Sequence, residues 1–200
     1  MPISADQVAE AAVRWQLTST VTKEAATRLA QYGNLLLHWN TRISLTAIRT
    51  EAELIERHLM EGAFAAAHHP RGRTVLDYGS GTGVPGIPIA ICGPMLYVTL
   101  AESQRKKSAF LHEAIRQLQL RASVHTVRAE VLPPGSFDAV WMRAVERQSE
   151  MLDVAGSLVA PDGSLCILGT VPEPRLSGWK WRHTPLPNST GRVLHIGRHL

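Results

Sequence analysis

Cysteine is scarce in this chain of 200 residues, which contains only Cys92 and Cys166. Both lie in apolar segments, and two cysteines provide neither a disulfide framework nor the paired spacing of a zinc site. The scarcity therefore excludes a small secreted protein held together by disulfides. We expect two buried thiols in a reducing compartment.

The chain also lacks a long apolar run. No stretch approaches the roughly 20 apolar residues that a membrane-spanning helix needs. The segment Met1–Asp6 has neither the basic start nor the apolar run of a signal peptide. These absences favour a soluble, cytoplasmic protein with no membrane partner.

Acidic residues are outnumbered by basic ones, 17 against 21, which gives a net charge of +4 and a pI near 9.4. That excess is compatible with a polyanionic partner but does not establish one. The pair His68-His69 has no third ligand within reach by spacing, so we expect no metal site. The length suits one domain with a sizeable core, with room for a small appendage.

A glycine-rich segment follows the apolar run Val75-Leu76. Glycines at 79, 81, 83 and 86 allow a tight turn and the close approach of a ligand, and the helix that follows offers free N–H groups. The spacing also fits a dinucleotide fingerprint, and a turn that serves only packing is the alternative without a ligand. Asp77 favours S-adenosylmethionine, because a carboxylate at the strand tip can face the ammonium of this cofactor, whereas the pyrophosphate of NAD has none. Glu102, after the next predicted strand, can accept the hydroxyls of a ribose and suits either cofactor.

The chain divides near Arg73. Apolar spacing predicts a helix over Lys23–Trp39, and a capping box at Thr50–Glu53 predicts another that runs to about Ala67. From Thr74 onward strands alternate with helices, which indicates a parallel sheet with helices on both faces. The strands are predicted at 74–77, 97–101, 123–127, 137–141, 165–168, 179–184 and 192–197, and the helices at 85–91, 104–120 and 147–159. We expect an α/β fold of the Rossmann-like methyltransferase type, with a helical extension over residues 1–72 and a cofactor-binding domain over 73–200.

Several candidate residues come directly after predicted strands. Asp77, Glu102, Ala129-Glu130 and Arg143 are far apart in the sequence. Because ligands bind at the carboxyl ends of parallel strands, we expect these residues to meet at one edge of the sheet.

Short motifs over residues 35–170 resemble the bacterial RsmG family, also called glucose-inhibited division protein B. The motifs are Trp39-Asn40-x-x-Ile43-x-Leu45-Thr46-Ala47, Glu56-Arg57-His58, Asp77-x-Gly79-Ser80-Gly81-x-Gly83-x-Pro85-Gly86-Ile87-Pro88, Glu102-Ser103-x-x-Lys106-Lys107-x-x-Phe110-Leu111, Arg128-Ala129-Glu130 and Arg143-Ala144-Val145. The resemblance implies an S-adenosylmethionine-dependent methyltransferase that modifies N7 of a guanine in 16S ribosomal RNA, as free RNA or in the 30S subunit. We also expect a monomer.

The resemblance assigns roles to residues of this sequence. It implies that Gly79 and Val84 line the cofactor loop, as do Gly81 and Gly83, with Asp77 at its entry. Glu102 would hold the ribose, Ala129-Glu130 would lie beside the adenine, and Arg143 would contact the cofactor or the incoming nucleotide. The chain departs from the family pattern at Val84, Glu61-Gly62, Met142 and Leu168-Gly169-Thr170, the last of which lacks a lysine.

The absence of a Ser-His-Asp or Cys-His constellation fits this chemistry. Guanine N7 has a free lone pair, so methyl transfer to it needs positioning rather than a general base. Arg143 could orient the base through its O6 atom. Other interpretations are an ion pair between Arg143 and Glu146, a solvated Glu130, and a packed, hydrogen-bonded His58.

Basic residues outside these motifs are candidates for RNA contacts. They are Arg42, Arg49, Arg71, Arg73, Arg105, Lys106, Lys107 and, near the end, Arg175, Lys180, Arg182, His183, Arg192 and Arg198, with Trp179 and Trp181. A solvated helix face and an ordinary edge hairpin would look the same. Two further functions stay open: an RNA- or ribosome-binding module that has lost catalysis, and a methyltransferase for small molecules.

Overall fold

The computed structural model describes residues 2–143, 149–170, 172 and 174–200. Within them lies a sheet of seven strands in the order β3-β2-β1-β4-β5-β7-β6. The strands are β1 (Thr74–Tyr78), β2 (Tyr97–Ala101), β3 (Ala122–His125), β4 (Phe137–Arg143), β5 (Val159–Gly169), β6 (Trp179–Pro185) and β7 (Val193–His199). The first five in the sheet are parallel, and β7 and β6 close one edge as an antiparallel pair. The expected α/β fold with a closing hairpin is confirmed.

Helices lie on both faces of the sheet, as expected. They are α1 (Ala5–Arg14), α2 (Lys23–Asn40), α3 (Glu51–Leu54), α4 (Glu61–Ala67), α5 (Gly86–Cys92), α6 (Arg105–Leu118) and α7 (Ser149–Leu158). One buried cluster joins apolar side chains of the N-terminal helices, α5 and α6 to one face of the sheet. A second cluster packs α7 against the other face. The division at residue 72 into an extension and a cofactor-binding domain stays a prediction.

The helix predicted from the capping box at Thr50 has the expected extent but is interrupted by a π turn. Thr50 Oγ1 accepts a hydrogen bond from the Glu53 N–H at 3.2 Å, while the Glu53 carboxylate lies against Arg57 instead of reaching back. The π turn spans Ile55–Met60 and joins α3 to α4. Such turns insert an extra residue into the helix and often occur at functional sites. Here the turn is followed by a buried glutamate, Glu61.

Several predicted bounds were wrong by two residues or more. Strand β3 ends two residues earlier than predicted, and β4 and β7 each end two residues later. Helix α6 ends before Leu120 because Gln119 adopts a left-handed conformation (φ 48°), which stops a helix. Strand β5 begins at Val159, six residues before the predicted start, and joins β4 across a shift of register. Val159 therefore belongs to a strand rather than to the preceding helix. The first two residues of that predicted helix, 147 and 148, lie outside the described residues.

Candidate functional site

The candidate site lies at the carboxyl ends of four neighbouring parallel strands. Asp77 is the second-last residue of β1, Glu102 directly follows β2, and Arg143 is the last residue of β4. Ala129 and Glu130 form part of a short 3-10 helix after β3. Because β3, β2, β1 and β4 are adjacent and parallel, all five residues fall on one edge of the sheet, as the sequence predicted.

The glycines of the loop between β1 and α5 serve two purposes: some allow positive φ angles, and one allows close packing. Positive φ angles occur at Gly79 (68°), Gly81 (57°) and Gly83 (87°). At Gly86 a Cβ atom would come within 2.7 Å of Asp77 Oδ2, so this glycine permits close packing. At Gly79 a Cβ atom would meet nothing within 4 Å. Gly79 therefore combines a left-handed backbone conformation, which glycine adopts without strain, with open space, and a turn that cradles a ligand needs both.

Asp77 is buried beneath this loop, with only 1% of its surface exposed. Its Oδ2 accepts a hydrogen bond from the Gly86 N–H at 3.1 Å, and the Ser80 hydroxyl donates to its backbone oxygen at 2.9 Å. Burial raises the pKa of Asp77 to about 7, while the Gly86 hydrogen bond and the Arg143 charge oppose that rise. The carboxyl thus fastens the loop to α5 and would be stabilised in its charged form by a cation nearby.

Glu102 is held in place by two backbone N–H groups. Its Oε2 accepts from Gly81 at 2.9 Å and its Oε1 accepts from Gln104 at 2.7 Å. Each carboxylate oxygen has two lone pairs, so two acceptor positions are still available. This side chain, 6% exposed, can therefore accept two hydroxyl groups without losing its anchors.

Two other predicted residues differ in exposure. Ala129 is buried, whereas Glu130 is exposed and accepts a hydrogen bond from the Tyr78 hydroxyl at 2.7 Å. Hydrogen bonds from its own backbone N–H and from Tyr78 hold the pKa of Glu130 below its usual range. The side chain of Val84 is 4% exposed and belongs to the core. A ligand in the loop would therefore meet the backbone of Val84.

Arg143 points to the N-terminal helices. Its Nη2 donates to the Arg57 carbonyl at 2.7 Å, and its Nε and Nη2 contact Glu61 Oε2 at 3.4 and 3.2 Å. Glu61 is 2% exposed, and Arg192 Nη2 reaches the same oxygen at 2.7 Å. One buried carboxylate therefore bridges two arginines from opposite parts of the chain. The sequence alternative, Glu146, lies outside the described residues.

His58 lies against this ion-pair cluster of Glu61, Arg143 and Arg192. Burial and the Arg143 charge lower its pKa to about 3, so the ring is neutral at physiological pH. The expected packing of His58 is confirmed, but its Nδ1 has no hydrogen-bond partner in the described part of the chain. Burial raises the pKa of Glu61, and both arginines oppose that rise.

Three residues of this site escaped the sequence reasoning. Tyr32 is fully buried and donates from its hydroxyl to the Thr82 carbonyl at 2.6 Å, which ties α2 to the glycine loop. Its place at helical spacing between Leu29 and Leu36 was the available signal, because a buried tyrosine needs a hydroxyl partner. Glu61 appeared only as a departure from the family pattern. Arg192 was grouped with surface cations, and this was wrong, because its side chain is 15% exposed and paired.

The basic motif at the start of α6 meets an earlier segment. Arg42, Lys106 and Lys107 line one cavity of about 380 Å³. Gln104, two residues after Glu102 in the sequence, lines the same cavity. Two separate groups of predicted RNA-binding residues thus come together near the carboxyl end of β2.

Other parts of the chain add few candidates. Among the described residues, no cluster of three or more His, Cys, Asp or Glu side chains could hold a metal ion. None of the described helices is both long and apolar enough to cross a membrane. Cys166 is buried as expected, whereas Cys92 is only half-buried, and burial raises its pKa to about 12.

Comparison with known proteins gives consistent matches. The family model described as rRNA small subunit methyltransferase G matches residues 25–173. A ribosomal RNA small subunit methyltransferase G of Xanthomonas euvesicatoria is 39% identical over 161 residues, which cover 77% of this chain and 76% of the relative. The protein of that name from Stenotrophomonas maltophilia is 40% identical over 166 residues, covering 79% and 78%. The crystal structure of magnesium protoporphyrin IX methyltransferase from Synechocystis, with bound S-adenosylmethionine, matches with a TM-score of 0.61 at 18% identity, covering 84% of this chain and 94% of that one. That last likeness concerns the fold.

Proposed function

Because the chain belongs to the rRNA small subunit methyltransferase G family, we propose that it transfers a methyl group from S-adenosylmethionine to N7 of a guanine in 16S ribosomal RNA. The substrate is the RNA itself or the 30S subunit that contains it. The observation that carries the proposal is the open, positive-φ turn at Gly79 between the buried carboxyls Asp77 and Glu102.

The residues at this edge of the sheet fit the cofactor chemically. Glu102 has two free acceptor positions for the ribose hydroxyls, and Asp77 offers a carboxylate to the ammonium group. The glycines Gly79, Gly81 and Gly83, with the backbone of Val84, give the ligand close approach to the loop. Ala129 and Glu130 would hold the adenine. When bound, S-adenosylmethionine supplies an electrophilic methyl group on a positively charged sulfur.

The catalytic role of the chain is to hold the guanine in line and to exclude water, because N7 already has its lone pair. Arg143 orients the base. Its guanidinium has five N–H donors, and its contacts with Arg57 and Glu61 use Nε and Nη2. Within the described part of the chain the N–H groups of Nη1 have no partner, so they are available for guanine O6. The anchoring by Glu61 fixes the plane of the guanidinium before the base arrives.

Methyl transfer from labelled S-adenosylmethionine tests this function. The wild-type chain is given 30S subunits, naked 16S rRNA and a panel of small metabolites in parallel, and the methylated atom is mapped. We expect label at N7 of one guanine in the ribosomal substrates. Label only in a metabolite would identify a small-molecule methyltransferase, and binding of both cofactor and RNA without transfer would identify a module that has lost catalysis.

The role of Arg143 is tested by Arg143→Lys, which keeps a positive charge opposite Glu61 but loses the planar donors. We expect a fall in kcat of about 100-fold with a smaller change in cofactor affinity. Thermal unfolding checks that the variant is folded. Full methyl transfer by this variant, with unchanged cofactor affinity, would exclude Arg143 from catalysis.

A further inference from the structure

A second concave surface lies on the β6–β7 edge of the sheet, away from the cofactor site. It is a cavity of about 330 Å³ whose walls include Lys180, Arg182 and Arg198 from the two strands and His68-His69 after α4. That size is at the lower end of ligand sites, which span roughly 300–1,000 Å³. Among the described residues no acidic side chain lines it. We call this surface the edge pocket.

The three cations of the edge pocket share one face of the sheet at close range. Lys180 stands directly opposite Arg198 in the antiparallel register, and Arg182 stands opposite Ile196. Like charges that face each other across two strands destabilise a sheet. All three side chains are exposed, and no described carboxylate pairs with them. The fold therefore maintains an uncompensated positive charge at this position.

The positive charge of the edge pocket also affects β5, the neighbour of β7 in the sheet. Burial raises the pKa of the Cys166 thiol on β5, and the charges of Arg182 and Arg198 act against that rise. Cys166 pairs in register with Ile196, the residue between the cations. The charges of the pocket therefore act on a buried group of the sheet as well as on the solvent side.

His69 forms part of the pocket wall beside the cations. Its Nδ1 accepts a hydrogen bond from the Trp141 indole N–H at 3.3 Å. Burial lowers the pKa of His69, and a backbone hydrogen bond with Gly72 and the charge of Asp138 oppose that fall. Because the ring is neutral, the positive charge of the pocket comes from Lys180, Arg182 and Arg198.

We propose that the edge pocket binds a backbone phosphate of the substrate RNA, as a contact separate from the methylation site. The inference rests on the proposed function, because it takes ribosomal RNA as the polyanion. Arg198 lies five residues along β7 from Val193, which pairs with Gly169 at the carboxyl end of β5. This end of the parallel strands, which the proposed function assigns to the cofactor, is here called the cofactor edge. Five residues of strand span about 17 Å, so an RNA strand that reaches the cofactor edge also reaches the pocket.

Equilibrium binding of a 16S rRNA transcript at several KCl concentrations tests this contact. The double variant Lys180→Ala/Arg198→Ala removes two cations of the pocket. The matched control Lys23→Ala/Arg121→Ala removes two exposed cations that lie elsewhere. Each lost phosphate contact makes the slope of log K against log[KCl] shallower by about 0.7–0.9. We expect a change of about 0.7–0.9 for the pocket variant, which loses one phosphate contact, and less than about 0.3 for the control.

Equal slopes in the two double variants would overturn the proposal. So would AMP or inorganic phosphate binding that the pocket variant abolishes without any change in RNA binding, since the occupant would then be a small anion. Binding is read without methyl transfer, so the two proposals can fail separately. A wild-type protein that binds 16S rRNA through the pocket but transfers no methyl group would refute only the proposed function.

Discussion

The cofactor edge of the sheet and the edge pocket differ in how their charged side chains are paired and buried. At the cofactor edge Glu61 is buried between Arg143 and Arg192, and Glu102 is fastened by two backbone N–H groups. In the edge pocket Lys180 and Arg198 face each other in solvent, with no partner carboxylate among the residues that the structure describes. Paired and buried charges hold atoms in fixed positions, as the transfer of a methyl group requires. Unpaired and exposed charges are suited to a mobile polyanion.

The largest effect should follow from neutralising the shared carboxylate. Glu61→Gln leaves the charges of Arg143 and Arg192 without their common partner in a buried place. We expect a loss of about 3–5 kcal/mol in the free energy of unfolding, measured with urea. The control Glu113→Gln removes the carboxylate of a pair with Arg116 at the surface, where solvent screens the charges, and should cost much less. Equal losses in both variants would mean that the cofactor edge is no more tightly held than the surface.

Two glycines of the same loop should separate packing from ligand binding. Gly86→Ala places a Cβ against Asp77 and Leu100, and we expect a loss of about 2–3 kcal/mol in the free energy of unfolding. Gly79→Ala meets no neighbour and should cost about 1 kcal/mol, because of its positive φ.

Cofactor affinity, measured by calorimetry on the folded variants, provides the second readout. Gly79→Ala should weaken S-adenosylmethionine binding by about tenfold or more, because its new methyl group projects into the open turn. Unchanged affinity in Gly79→Ala would place the cofactor away from this turn.

The pH dependence of stability should report on Asp77. Its pKa is about 7 in the folded protein and near 3.8 when unfolded, so the folded state favours the protonated form. The contribution of Asp77 to stability is therefore fully present below about pH 4 and is lost as the pH rises through 7. Between pH 5 and pH 8 the wild type should lose about 2 kcal/mol relative to Asp77→Asn, measured by urea unfolding.

This comparison with Asp77→Asn removes the contribution of other titrating groups. His58, whose pKa is lowered, destabilises both proteins alike as the pH falls below about 6.5. A constant difference between the two proteins over this pH range would show that Asp77 is charged throughout.

The smallest effect should come from relieving the repulsion in the edge pocket. Lys180→Ala removes one of two facing cations, so the free protein should gain up to about 0.5 kcal/mol of stability at low salt. The gain should shrink in 0.5 M KCl, because salt screens exposed charges. Thermal unfolding at both salt concentrations measures it, with Lys23→Ala as the control. A loss of stability would indicate that Lys180 serves the fold instead.

The parts of the molecule that depend on local sequence could be predicted, and those that depend on distant contacts could not. Strand β2 has the predicted bounds, since apolar residues and turn signals delimit it. The positions of Asp77, Glu102 and Arg143 at one edge followed from the alternation of strands and helices. The extension of β5 through Pro161-Asp162-Gly163 did not, because this segment has the composition of a turn and pairs with β4 through a bulge. The roles that these residues have toward the cofactor and the RNA stay predictions.

Glu61 could not have been identified as the centre of an ion-pair cluster from sequence. Its partners lie 82 and 131 residues further along the chain, and nothing near Glu61 indicates them. The capping box at Thr50 predicted the helix but not the π turn that precedes Glu61. A single glutamate in an apolar helix segment is unfavourable to bury, and only its arginine partners explain why it is buried here.

The bridge through Glu61 also has a consequence for the order in which the protein assembles. Its carboxylate belongs to the first 61 residues made, whereas its shortest contact is with Arg192, in a strand made long afterwards. Contacts between such distant segments form late, because closing the intervening chain loses entropy before the contact contributes its favourable energy. The ion-pair cluster of Glu61, Arg143 and Arg192 is therefore complete only when the β6–β7 hairpin has joined the sheet. Until then the nascent chain has its glycine loop, and of these two arginines only Arg143 is in place to pair with Glu61.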